Sequence, residues 1–218
     1  MSIFRRTDGY NVVDSDNPIG MFDLIDPTRW AVMYENFIKF PADFDDASAN
    51  GWTHTNTNGT LTVVGPSGNV TQTLAAAANN LSQLYLTNGT IQTTAGKKLI
   101  FEAKCKVDKG VGGVITAQEL VIGLTSVQTG TNFMAADGLT RAFDDGFAFI
   151  SFVATADIGL HQGEADVFST DLAVSTLVDA TYATYSIYYN GYSATYYIDD
   201  VAVGVLASNE PTSVLTPM

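Results

Sequence analysis

With one cysteine, Cys105, the chain of 218 residues cannot close an internal disulfide. Cys105 sits in the alternating run Leu99, Phe101, Ala103, Cys105, Val107, which turns it to the same side as its apolar neighbours. That pattern predicts a buried small hydrophobe rather than a reactive thiol. Histidine is almost as scarce: His54 lies in a Thr- and Asn-rich stretch, and His161 in the turn-like Gly-Leu-His-Gln-Gly. Neither stands near a nucleophile motif or at a zinc-ligand spacing, so both read as surface loop residues, and no triad and no cofactor is expected.

Basic residues are the next shortage. Ten Lys and Arg against 23 Asp and Glu give a formal charge of −13. No segment gathers enough positive charge to neutralise a phosphate backbone, which argues against nucleic-acid binding. The same acidity is repelled by anionic lipid, and no apolar run approaches the roughly 20 residues needed to cross a bilayer, so no membrane association is expected. The N-terminus, Met-Ser-Ile-Phe-Arg-Arg, is not followed by an apolar leader core, and nothing directs the chain to a secretory route. The sequons at Asn58, Asn69 and Asn88 are therefore not expected to be glycosylated, and Asn58-Gly59 and Asn88-Gly89 read as turns.

What is present points to an all-β protein. Hydrophobic residues make up 46% of the chain and charged ones 15%, which fits a packed domain whose surface is covered by Thr, Ser, Asn and Gly. The length suffices for one large antiparallel sandwich. Short extended segments bounded by Gly, Asn or Pro recur at residues 60–64, 71–74 and 82–87. The longest strand is expected at 97–107, where Glu102, Lys104 and Lys106 alternate with the apolar set, leaving one face wet and one dry. Residues 119–125 and 147–155 are more continuously apolar, as in central strands covered on both sides. Near the C-terminus, 181–190, 194–199 and 201–206 form a three-stranded meander that turns at Asn190-Gly191 and Asp199-Asp200. Its seven tyrosines, at 182, 185, 188, 189, 192, 196 and 197, put aromatic rings on both faces, more than one core needs.

Residues 1–28 hold neither a period of 2 nor one of 3.6 and read as an irregular arm, with the sandwich occupying 29–218. Phe4, Met21 and Phe22 are costly to leave in water, so the arm is expected to lie against its own sandwich or a neighbour. Residues 30–40 read as a strand, and 41–51 as an acidic loop with Asp43, Asp45 and Asp46.

The closing Tyr196-Tyr197-Ile198-Asp199-Asp200-Val201-Ala202-Val203-Gly204 resembles the last strands of the concanavalin A-like lectin/glucanase sandwiches, in which Phe/Tyr-Tyr-Ile-Asp-Gly turns tightly into Val-x-Val-Gly. The resemblance implies a jelly-roll fold. It covers about 25 residues directly, and the superfamily includes glucanases, lectins, adhesion modules and jelly-roll modules of bacteriophage virions. Retaining glucanases of this kind need a carboxylate nucleophile and a second carboxyl about 5 Å away. The nearest approach is Glu164-Ala165-Asp166-Val167-Phe168-Ser169, where the acid/base position holds Phe or Ser. Without that proton donor a contribution of about 10²- to 10⁴-fold is lost. The chain is therefore expected not to be an enzyme. Lectins of the superfamily bind Ca²⁺, but neither the Asp43, Asp45, Asp46 cluster nor Asp144-Asp145 has a recognised loop spacing, and no metal is expected.

An acidic, cysteine-poor sandwich with an aromatic arm resembles a bacteriophage capsid decoration or cement protein. On that reading the partner is the major capsid protein, the site is the virion's outer surface, and the chain is a homo-oligomer, a trimer or otherwise a dimer. Phe4, Tyr10, Met21, Phe22 and Trp30 of the arm region, with Tyr188, Tyr192 and Tyr196 of the meander, are the expected interface anchors. The alternative is a carbohydrate-binding module of a phage head or tail fibre, in which exposed tyrosines or Trp52 stack on sugar rings and a glycan is the partner.

Overall fold

A computed structural model describes residues 2–6, 9–13, 52–64, 69–74, 81–86, 91–93, 96–115, 119–126, 145–151, 155–164 and 167–218. Among these residues the regular structure is β, in sixteen strands, all paired antiparallel. The alternating and continuously apolar runs of the sequence become two facing sheets.

The larger sheet has six strands: β7 (Ile91–Gln92), β9 (Leu120–Thr125), β10 (Gly146–Ser151), β11 (Asp157–Glu164), β12 (Val167–Thr176) and β16 (Val214–Pro217). Its order is β12-β11-β10-β9-β16-β7. The smaller sheet contains β8 (Leu99–Cys105), β13 (Ala183–Tyr189), β14 (Ala194–Ile198) and β15 (Val201–Leu206), in the order β15-β14-β13-β8. The last three are the meander expected from the sequence.

Alternation decides what enters the core. Ile122, Leu124, Phe147, Phe149, Ile158 and Leu160 from the larger sheet meet Tyr185, Ile187, Tyr189 and Tyr196 from the smaller one, all buried. Phe147 lies 5.2 Å from Tyr189, and Phe149 sits edge-on between Tyr185 and Tyr196 at 5.1 and 5.3 Å, separations at which aromatic rings attract beyond simple area burial. On the other side of β10, Ala148 and Ile150 are also buried and form a second cluster with Val121. Burial on both faces is the reason β9 and β10 read as unbroken apolar runs. In β8, by contrast, Glu102 and Lys104 alternate outward while Leu99, Phe101, Ala103 and Cys105 pack against the core.

The strands expected near 60, 71 and 82 are present as β4 (Gly59–Val64), β5 (Asn69–Leu74) and β6 (Leu81–Leu86), preceded by β3 (Trp52–Thr57). β4 pairs with β5, but β6 reaches back to β3. The two ribbons pack through Trp52, Leu61 and Leu84, a small separate core.

Turn chemistry follows the sequence closely. Asp199 and Asp200 both take left-handed conformations, φ 47° and 66°, the pair a tight two-residue hairpin requires. Between β13 and β14 the chain reverses over Gly191-Tyr192, with Gly191 at φ 101°; a Cβ there would come within 2.5 Å of the Gly96 backbone, to which Gly191 is hydrogen-bonded.

Several expectations need correction. Residues 2–13 are not irregular: β1 (Ser2–Arg6) and β2 (Gly9–Val13) pair as a hairpin, a sheet of its own. The period-2 signal was hidden because the strands are five residues each and mix polar with apolar side chains. His161 is not in a surface turn but buried in the middle of β11, opposite Ala148. His54 is half-buried in β3 and shares a hydrogen bond of 2.9 Å with Ser82. The strand expected at 30–40 and the acidic loop at 41–51 lie outside the described residues, as does the boundary at 28/29.

Leu124→Ala, which removes a wholly buried side chain from the sheet interface, is expected to cost about 3 kcal/mol in urea unfolding. Asp200→Gly relieves a left-handed non-glycine residue and is expected to raise the unfolding free energy read from urea denaturation, by about 1 kcal/mol at most.

Candidate functional site

The meander divides its tyrosines by strand register. In β13, Tyr185 and Tyr189 point inward and Tyr188 outward. Across the hairpin Tyr188 faces Thr195, so in β14 it is Tyr196 that points inward and Tyr197 outward. Tyr196 is therefore no interface anchor: it is wholly buried, and its hydroxyl donates to the His161 carbonyl oxygen at 2.5 Å. Burial pushes its hydroxyl well above the ordinary tyrosine range.

Tyr188 is half-buried on the outer face, and Tyr192, at the hairpin tip, is 68% exposed. The tip is rigid for a polar reason. The Asn190 side-chain oxygen accepts the Tyr192 and Ser193 amides at 2.8 and 2.9 Å, and Gly96 N–H donates to the Gly191 carbonyl. Of the other expected anchors, Phe4 lies in β1 and Tyr10 in β2, with side chains not described, and Met21, Phe22 and Trp30 lie outside the described residues. Trp52 is buried in the small core and cannot stack on an external ring.

The outer face of the smaller sheet brings together residues the sequence did not single out. Lys104 pairs with Thr184, Glu102 with Ser186 and Ile100 with Tyr188; Ser186 in turn faces Tyr197, and Thr195 faces Val205. Tyr182, 49% exposed, lies at one end with the ammonium groups of Lys104 and Lys106 at 5.9 and 5.5 Å from its ring centre. Ser186 donates to Glu102 at 3.1 Å. The signal that could have found this face was available: Glu102, Lys104 and Lys106 mark the wet side of β8, and whatever pairs with them shares it.

At the other end of the sandwich, residues 207–213 cross from β15 to β16 as a strap. Gln162 donates to the Ser208 carbonyl, Tyr189 to the Glu210 carboxylate at 2.6 Å, Thr93 to the Pro211 carbonyl and Gln92 to that of Thr212. Thr212 donates to Glu164 at 2.7 Å. Glu164, the first residue of the carboxylate run in the sequence, thus anchors the strap. Burial first, and the adjacent Glu210 carboxylate second, push the Tyr189 hydroxyl upward.

A cleft of about 130 Å³ opens at the sandwich edge between Val107, Ile158, Leu177, Tyr182, Tyr185 and Ile198. Among the described residues no group of three or more His, Cys, Asp or Glu is placed to hold a metal ion. The Asp43, Asp45, Asp46 cluster and Asp144 are outside those residues.

No known protein family matches the chain, and no curated protein matches it. Among solved structures the chain is similar to the endo-β-1,4-glucuronan lyase from the fungus Trichoderma reesei, at 9% identity and a TM-score of 0.36, covering 77% of this chain and 78% of that one. The expectation that the chain is not an enzyme is corrected on this finding, since that structure is an enzyme.

Burial raises the Cys105 thiol to about 12 and the Tyr185 hydroxyl to about 12, with Cys105 and Asp199 adding to the latter. Both groups hold their protons more tightly folded than unfolded. Their contribution is therefore complete below about pH 9 and is lost as the pH rises towards 12. The urea midpoint should fall between pH 8 and pH 10.5, and Cys105→Ser should make that fall smaller; a midpoint independent of pH would contradict the burial of both groups.

Proposed function

We propose that the chain is a surface-attachment protein of a bacteriophage virion, a capsid decoration or cement protein that binds the outer shell and ties neighbouring capsomers together. The observation that carries this reading is the β1–β2 hairpin. Its pairs run from Ser2↔Val13 to Arg6↔Gly9 within the hairpin, and among the described residues it joins neither sheet of the sandwich. A sandwich whose core closes through its own two sheets leaves such an element available to a partner. Phe4 and Tyr10 sit on it, and the major capsid protein is the partner this reading names. Closed shells favour symmetric copies, a trimer first and a dimer second.

A second reading, a carbohydrate-binding module of a head or tail fibre, is favoured by the exposed Tyr182 and Tyr192 beside half-buried Tyr188 and Tyr197. Tyrosine rings offer apolar faces of the kind sugars stack on, with a hydroxyl at the edge.

Deleting residues 1–28 should abolish co-sedimentation with purified capsids while leaving the cooperative unfolding of the sandwich; capsid binding unchanged by the deletion would sink the attachment model. Glycan-array screening separates the two readings, because saturable sugar binding with no capsid binding supports the second.

A further inference from the structure

Half of the ten basic residues fall within thirteen positions: Lys97, Lys98, Lys104, Lys106 and Lys109 lie on or beside β8, against Glu102 and Asp108. All five are exposed. In a chain of net charge −13 this is a local reversal of sign along one sheet edge. Part of it is spent within the protein, since Lys109 pairs with Asp179 at 3.4 Å. Lysines on an edge strand also discourage pairing with a stray strand. That role needs no aromatic neighbours and no particular face.

Lys104 and Lys106 have both. They stand on the outward side of the sheet, against the ring of Tyr182, and the register continues from Lys104 through Thr184 and from Glu102 through Ser186 to Tyr197. The intervening carboxylate, Glu102, accepts the Ser186 hydroxyl. The next row runs Ile100, Tyr188, Thr195 and Val205, the last of these 59% exposed. Positive charge at one margin thus borders half-buried Tyr188, Tyr197, Thr184 and Thr195, with Ser186 wholly buried among them.

We propose that this face binds a linear polysaccharide bearing carboxylate groups, with Lys104 and Lys106 pairing with its acid groups and Tyr182, Tyr188 and Tyr197 lying against its sugar rings. The proposal deepens the carbohydrate-binding reading and rests on it. Charge selects the occupant. A neutral glycan leaves the lysines unused. A polymer that carries acid groups along a chain of sugar rings offers carboxylates to the ammonium groups at the margin and apolar ring faces to the tyrosines behind them.

Binding of the full chain to polygalacturonate, with amylose as the neutral polymer, is measured by isothermal titration at low and moderate salt. The wild type should bind polygalacturonate more tightly than amylose and weaken as salt rises. K104Q/K106Q should lower that affinity about ten-fold, since each exposed pair contributes modestly, while K97Q, on the opposite side of the chain direction, leaves it unchanged. Tyr188→Ser should weaken binding of both polymers without altering the salt dependence. Unfolding midpoints of the variants equal to wild type show that any loss is local. Equal binding of both polymers, untouched by K104Q/K106Q, overturns the acidic choice and keeps the carbohydrate reading. No binding of either polymer overturns both. Self-association of the wild type that K104Q/K106Q abolishes, with no polymer binding, assigns the lysines to a second copy instead and overturns the proposal.

Discussion

The contact on which the rest depends is the aromatic layer between β10 and the β13–β14 hairpin. Phe147 and Phe149 fill the spaces between Tyr185, Tyr189 and Tyr196, with ring centres just over 5 Å apart. Tyrosine in a core carries an obligation that phenylalanine does not, because its hydroxyl must find a partner or cost as much as it contributes. Tyr196 meets it at the His161 carbonyl of β11, and Tyr189 at the Glu210 carboxylate of the strap. The rings therefore do more than fill volume. They tie the smaller sheet to β11 and hold the chain that carries β15 into β16.

That strap explains how the last four-residue strand can stand between β9 and β7 although it follows β15 of the opposite sheet. Its carbonyls accept side-chain hydrogen bonds from Gln162, Thr93 and Gln92, and its own Thr212 hydroxyl donates to Glu164. A backbone crossing between sheets loses ladder hydrogen bonds, and side chains replace them. Glu164 thus has a structural duty, whatever chemistry the chain performs. The register that sends three tyrosines inward also leaves Tyr188 and Tyr197 on the outer face, in line with the lysine margin of β8. Core and binding face are two sides of one alternation.

Much of this was legible beforehand. The meander, the wet and dry sides of β8 and the two-sided burial of β10 follow from periodicity that acts within one strand. What failed did so at longer range. His161 between glycines looks like a turn, because those five residues by themselves do not show that β10 and β12 pair with them on both sides. Tyr196 was expected outside with Tyr188, yet Tyr188 faces Thr195 across the hairpin, so Tyr196 turns inward. The hairpin at residues 2–13 escaped because its strands are too short for a period to show.

The sequence by itself determined the strands, their turns and the charge and aromatic content of the meander, because these depend on side-chain volume, backbone preference and alternation among near neighbours. Only the tertiary structure decided which tyrosines were consumed by the core, that Glu164 and Glu210 hold a strap, and that Lys104 and Lys106 border the tyrosines left outside. Those outcomes depend on which strands pair and in what register, and pairing is settled by contacts between segments tens of residues apart.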